Sequence, residues 1–144
     1  MLVSQILKSK ADDSIVTTLP STTIAQAAQM LSERRIGTLI ISRDGETPEG
    51  ITSERDIVRQ LGKAGAICLT ETVSSIMTKK LVTCTRDMRA DAVLEKMTEG
   101  RFRHMPVLED GKLVGLISLG DVVKARLMEL AMEKDALEGM IRGH

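Results

Sequence analysis

Gly50-Ile51-Thr52-Ser53-Glu54-Arg55-Asp56 and Gly115-Leu116-Ile117-Ser118-Leu119-Gly120-Asp121 are two versions of one segment, in which a glycine leads to a serine and then to an aspartate three residues on. Each version carries the chain from an apolar strand into a helix, with the serine at the expected N-cap. Two chemistries fit. In a capping box the serine accepts from the third helical amide and the acid reaches back to the serine amide, with no ligand needed. In a binding site the helix amino terminus offers N–H groups and a positive dipole end to phosphate. The carboxylate one turn in then accepts both hydrogens of a vicinal diol such as that of ribose.

Working outward, the doubling extends along the whole chain. Val16-Thr17 aligns with Val82-Thr83, and at the same offset Glu33 meets Glu99, Arg35 meets Arg101 and Asp44-Gly45 meets Asp110-Gly111. Once one residue is dropped, Gly50, Ser53, Asp56 and Val58 pair with Gly115, Ser118, Asp121 and Val123. Matching lead-ins, Val3-Ser4-Gln5-Ile6-Leu7 and Val73-Ser74-Ser75-Ile76-Met77, stand in front of the two copies. The chain is a tandem duplication, and such repeats are the first thing to seek in a sequence.

Each copy predicts the same order of elements. Val16 to Thr18 is a short β-like run; Ser21-Thr22 offers an N-cap before Ile24, Ala27, Ala28 and Leu31 at helical spacing. In the second copy Asp87 is the expected cap and Ala90, Val93, Leu94 and Met97 form the stripe. Strands over 38–42 and 50–52 flank Asp44-Gly45, and strands over 105–108 and 113–117 flank Asp110-Gly111, a strong hairpin signal. A unit of some 60 residues with one apolar sheet face is marginal alone. The expectation is therefore a pair of α/β (α+β) domains, 1–66 and 67–144, each a short sheet with two helices packed on it, the pair related by pseudo-twofold symmetry. The last helix, over about 121–139, outruns its counterpart and carries Leu127, Leu130, Ala131, Leu137 and Met140, the pattern of a subunit contact.

Composition narrows the function. Phe102 is the one aromatic residue, so aromatic stacking, the usual grip on single-stranded nucleic acid or a flat base, is almost absent. A base bound here would lie between aliphatic side chains and be read by backbone groups. Twenty basic and twenty acidic residues cancel, which removes the basic footprint of a nucleic-acid or membrane-surface binder. No apolar run approaches the roughly 18 residues that cross a bilayer, and the start of the chain does not read as a signal peptide; a cytoplasmic protein is expected. Cys68 and Cys84, with His104 and the terminal His144, cannot furnish a four-ligand zinc site. His104 has no serine, cysteine or acid arranged with it as a triad, so no catalytic residue is nominated.

Opposite the second serine–aspartate segment stands Arg101-Phe102-Arg103-His104, three potential cations placed ahead of a strand that the hairpin sets beside 115–118. Such a cluster suits phosphate oxygens. In the first copy Gly37-Thr38 replaces Arg103-His104, leaving Arg55 as the candidate cation and making the two sites inequivalent.

The doubled pattern of a Val-x-x-Ile-Met-like lead-in, a Val-Thr strand, an Ala-rich helix, Arg103-His104-Met105-Pro106-Val107 and Gly115 to Asp121 resembles the CBS domain, named after cystathionine beta-synthase. Two such domains form a Bateman module, and the likeness runs from Val3 to about Leu127. It implies a non-catalytic regulatory module that binds an adenine nucleotide (AMP, ADP, ATP), S-adenosylmethionine or NAD(H), in clefts between the domains. Carried over by position, Asp56 and Asp121 would hold ribose hydroxyls, and Ser53 and Ser118 would face phosphate or ribose. Thr17, Thr18, Thr83 and Cys84 would edge the base; Thr38, Leu39, Ile40, Met105, Pro106 and Val107 would wall it. Arg55, Arg103 and His104 would meet phosphate, His104 with a grip that depends on pH around its unperturbed value of about 6.5. A homodimer, read from the stripe of the last helix, and a regulated partner protein to receive the signal are also expected, with no metal, given the shortage of ligands, and no cofactor beyond the regulatory nucleotide. The rival is a ligand-free adaptor whose serines and aspartates only cap helices.

Overall fold

A computed structural model describes residues 1–10 and 15–141; His144, set aside above as a metal ligand, lies outside them. The elements run α1 (Val3–Ser9), β1 (Thr17–Thr18), α2 (Ile24–Arg34), β2 (Thr38–Ile41), β3 (Gly50–Ser53) and α3 (Glu54–Ala64). Two 3-10 turns (Ala66–Thr70 and Val73–Ser75) lead to α4 (Ala90–Gly100), β4 (His104–Glu109), β5 (Lys112–Ser118) and α5 (Leu119–Ile141). Among the described residues no helix is long and apolar enough to cross a membrane.

The chain forms two compact units, and they do not coincide with the two halves of the sequence. One holds the segment with α1, Thr83–Val107 and the chain from Gly115 through α5; the other holds the chain from β1 to Val82 together with Leu108–Val114. Each lead-in therefore belongs to the unit that contains the other repeat's first helix. Backbone pairing explains the exchange. The Val3 amide donates to the Met88 carbonyl at 2.8 Å and the Ala90 amide to the Met1 carbonyl at 2.9 Å. At the repeat-equivalent place, Val73 donates to Thr22 and Ile24 to Glu71, both at 2.8 Å.

This pairing also corrects two expected caps. Arg89, not Asp87, is the N-cap of α4 and makes no side-chain cap bond, because a guanidinium has no acceptor; the first helical amide, that of Ala90, donates to the Met1 carbonyl instead. Asp87 instead accepts from the Thr85 hydroxyl. At α2 the cap is Thr23 rather than Ser21-Thr22: Thr23 Oγ1 accepts from the Gln26 amide at 3.1 Å and Gln26 Oε1 from the Thr23 amide at 3.0 Å, a reciprocal box. The Thr22 hydroxyl is engaged with that of Thr18, 2.6 Å away.

In the first-repeat unit β1 pairs parallel with β2, and β2 antiparallel with β3, in the register Thr17 with Ile40 and Thr38 with Ser53. Leu39 and Ile41 face the helices and form a core with Ile24, Ala27, Leu31, Ile57 and Val73. β4 pairs with β5 in a hairpin whose tip, Leu108–Val114, belongs to the first-repeat unit, and in the other unit the first strand shrinks to a single parallel bridge between Cys84 and Val107. The two Asp-Gly signals part company here. Asp110 (φ 52°) and Gly111 (φ 77°) form a two-residue connection with both residues left-handed, as a tight hairpin requires. Asp44-Gly45 lies in a longer loop between β2 and β3. There the Asp44 carboxylate accepts from the Thr47 and Glu46 amides and the Ser42 hydroxyl, which pull its pKa down to about 2.

The glycine that opens each serine–aspartate segment is required by packing. A Cβ on Gly50 would lie 2.5 Å from Met77 Sδ and 2.8 Å from its Cγ; one on Gly115 would lie 2.9 Å from both methyls of Leu7. Met77 and Leu7 are the matching last residues of the two lead-ins, so each strand carries a bare spot that receives a lead-in side chain. Gly50→Ala should lower stability by about 1–3 kcal/mol, the usual range for overpacking. Urea unfolding reads this directly, and an unchanged midpoint would mean that Met77 swings aside at no cost.

Candidate functional site

Both serine–aspartate segments close as capping boxes. The Ser53 amide donates to Asp56 Oδ2 at 2.8 Å and the Asp56 amide to Ser53 Oγ at 3.3 Å. The Ser118 amide donates to Asp121 Oδ2 at 2.9 Å and the Asp121 amide to Ser118 Oγ at 3.1 Å. The first helical amide is engaged as well: Glu54 donates to the Gly37 carbonyl at 2.9 Å and Leu119 to the Arg103 carbonyl at 2.7 Å. The first and third amides of each helix are thus bonded within the protein, and the expected fan of N–H groups narrows accordingly.

The carboxylates differ in what else they meet. Asp56 has Arg59 of its own helix at 3.6 Å, through a largely exposed side chain. Asp121 accepts from Lys10, whose Nζ lies 3.0 Å from Oδ2 and donates also to the Leu116 carbonyl at 2.9 Å. Burial alone would raise the Asp121 carboxyl, but hydrogen bonds from Ser118 and Lys10, together with the Lys10 charge, outweigh it and hold the group below its ordinary value of 3.8. A cavity of about 460 Å³ opens beside this pair, lined also by Ser9, Lys124, Ile6 and Met128.

The remaining sequence-nominated residues fall into two continuous sets, one in each unit. Thr17 and Thr18 are half-buried on β1, and the β2–β3 register carries them through Thr38, Leu39 and Ile40 to Ser53 and Asp56. Alternation divides that wall: Leu39 packs into the helix core, while Ile40, equally buried, lies outside that cluster. Arg55 is exposed and lines a second cavity of about 460 Å³ with Glu54, Val58 and Arg59. In the other unit Thr83 is half-buried and Cys84 joins β4 through its amide bond to the Pro106 carbonyl at 3.0 Å. Met105, Pro106 and Val107 are buried, His104 is half-buried and Arg103 is exposed, its carbonyl held at the start of α5. Burial pushes the Cys84 thiol up to about 11, against a weaker opposing pull from the Lys96 charge, so it stays protonated and unreactive at neutral pH.

The model of the CBS domain matches residues 3–63 and again residues 73–128. The chain belongs to the CBS-domain family. Its structure is similar to that of a CBS-domain containing protein of Agrobacterium tumefaciens, with 42% identity and a TM-score of 0.82, covering 88% of this chain and 99% of that one. A CBS domain protein from Pyrobaculum aerophilum complexed with AMP is 28% identical with a TM-score of 0.78, over 92% of this chain and 99% of that one. A CBS domain pair in complex with 5′-methylthioadenosine and S-adenosyl-L-methionine is 26% identical with a TM-score of 0.77, over 90% and 98%. Membership places the chain among non-catalytic regulatory modules, and the two-unit architecture, each unit with a short sheet and flanking helices, is that of a CBS pair.

Within this CBS pair, sequence reasoning missed Lys10 and Arg59. Lys10 was within reach: the alignment of the two lead-ins, continued three residues past Leu7 and Met77, arrives at Lys10 and Lys80. What hid it was the exchange of lead-ins, which brings Lys10 to the second aspartate rather than to the first. The folded Asp121 carboxyl lies below 3.8, so its contribution to stability is complete above that value and is lost as pH falls from there through the folded value. Asp121→Asn removes the titration. The stability difference between wild type and this variant, followed by urea unfolding from about pH 6 to about pH 3, should therefore shrink as the pH falls.

Proposed function

We propose that the chain binds an adenosine-containing ligand and passes its occupancy to a partner protein. The observation that carries this reading is the likeness, over nearly the whole chain, to CBS structures complexed with AMP in one case and with 5′-methylthioadenosine and S-adenosyl-L-methionine in another. Adenosine is the part those ligands share, and 5′-methylthioadenosine has no phosphate, so recognition is expected to centre on ribose and base. Asp56 and Asp121 hold the ribose hydroxyls in this reading. Ser53 and Ser118 orient those carboxylates, while Arg55, Arg103 and His104 add phosphate contacts for AMP, ADP, ATP or NAD(H). Ile40 and Pro106, on aromatic-free strands, offer the base aliphatic contact. The cytoplasm is the compartment that goes with this reading, since Cys68 and Cys84 are unpaired thiols and adenine nucleotides are abundant there.

A second reading, an adaptor without a ligand, is favoured by one specific observation: both serine–aspartate boxes already satisfy themselves. Thermal unfolding with AMP, ADP, ATP, NADH and S-adenosylmethionine separates the two. Binding predicts a stabilisation of about 2.7 kcal/mol at a hundredfold excess over Kd, read as a rise of several degrees, diminished in Asp56→Ala and in Asp121→Ala. The adaptor reading predicts no shift with any ligand, and a loss of about 1 kcal/mol in each variant from the missing cap.

Pairing of two copies belongs to the same proposal. Val123, Leu127, Leu130, Leu137 and Ile141 are exposed apolar residues on α5, and with Lys134 they recur at alternating steps of four and three, the seam of a coiled coil. Two α5 helices in parallel register would set Lys134 against its own copy; antiparallel pairing removes that repulsion. Leu130→Lys should convert a dimer to a monomer in size-exclusion chromatography with light scattering, and a monomeric wild type would rule the seam out.

A further inference from the structure

Lys10 is the one cation that another element delivers to either aspartate of the doubled motif among the ion pairs of the described residues. It follows α1 directly and reaches the start of α5, where Nζ lies 3.0 Å from Asp121 Oδ2 and 2.9 Å from the Leu116 carbonyl oxygen. Both side chains are about four-fifths buried, each retaining 22% of its exposure, so solvent and salt weaken the pair less than they would a surface contact. An ammonium has three donors, and two of them are committed here.

Among the described residues the first repeat has no such arrangement. Asp56 faces Arg59 at 3.6 Å, from the same helix, with the arginine two-thirds exposed. Lys80, the counterpart of Lys10 in the lead-in alignment, is exposed. Two carboxylates in matching capping boxes therefore stand in different states. Asp121 holds an internal cation at hydrogen-bond distance, and the cavity beside it is bounded by that same cation. Asp56 is as buried as Asp121, at 20% against 22%, but its one cation stands farther off, on an exposed side chain.

We propose that Lys10 is a tethered competitor for Asp121, which makes the second-repeat site the weaker of two adenosine sites and couples its occupancy to release of the Lys10 side chain from α5. The proposal rests on the ligand-binding reading above. A ribose diol that takes both oxygens of Asp121 competes with the ammonium for Oδ2, which already accepts from the Ser118 amide and from Lys10. Displacement frees the Lys10 side chain from Asp121 and from the Leu116 carbonyl together. The first site, lacking this tenant, fills first and without that release.

Isothermal titration with AMP and with 5′-methylthioadenosine tests this in the Asp56→Ala background, which leaves the second site alone. Adding Lys10→Met should tighten both ligands about tenfold, the effect of removing roughly 1.4 kcal/mol of competition, whereas Lys10→Arg, which keeps the cation, should not. If Asp56→Ala shows no binding while wild type binds one equivalent, the appearance of binding in the Lys10→Met double variant supports the proposal and its continued absence overturns it. Weaker AMP binding in Lys10→Met with unchanged 5′-methylthioadenosine binding makes Lys10 a phosphate ligand and overturns it. Unchanged affinity for both ligands overturns it too, while leaving the ligand-binding reading intact. If neither wild type nor any variant binds either ligand, the ligand-binding reading itself fails, and this proposal with it.

Discussion

The absence of a side chain at Gly50 and at Gly115 is the constraint on which the rest of the structure turns. A methyl group at either place would overlap the end of a lead-in, Met77 in one unit and Leu7 in the other. Because the spots are bare, each lead-in lies directly on a strand, and the backbone bonds at Val3 and Val73 tie it to the first helix of the other repeat. Once that is done, β3 and β5 run straight into their helices with the serine already at the cap. The local serine–aspartate boxes then set the geometry of both aspartates.

The constraint is common to both sites, and the difference between them arises just beyond it. The lead-ins are exchanged between repeats, so residues just beyond them meet the aspartate of the other copy. Lys10 arrives at Asp121 in this way and bonds to it, while Asp56 is left with a weaker partner from its own helix. Duplicated sequence therefore does not give duplicated electrostatics. Lysines stand at the matching places past both lead-ins, and the two carboxylates differ because Lys10 bonds to its aspartate while Lys80 is exposed.

Much of the fold was legible in the sequence because local rules act on short stretches. Helical spacing marked Ile24, Ala27 and Leu31, all of which are buried in the first core, and the serine–aspartate boxes formed as capping chemistry demands. Asp110-Gly111 behaved as a tight turn since the strands end at its two flanks; Asp44-Gly45 did not, because added residues let the Asp44 carboxylate organise a loop of its own. The caps at Thr23 and Arg89 departed from expectation for a different reason. Their acceptors and competitors, the Met1 carbonyl and the Thr18 hydroxyl, come from strands and segments outside the local window.

By itself the sequence determined the duplication, the element order, the family and the residue types that can meet a ribose or a phosphate, since each depends on neighbours a few positions apart or on direct comparison of two copies. Only the tertiary structure decided which lead-in serves which repeat, what the glycines face, that Leu39 joins the helix-facing cluster while Ile40, equally buried, lies outside it, and that Lys10 sits on Asp121. Those outcomes depend on contacts between residues far apart along the chain, where a bare backbone spot or a single carbonyl can redirect a whole segment. No periodicity records such a contact.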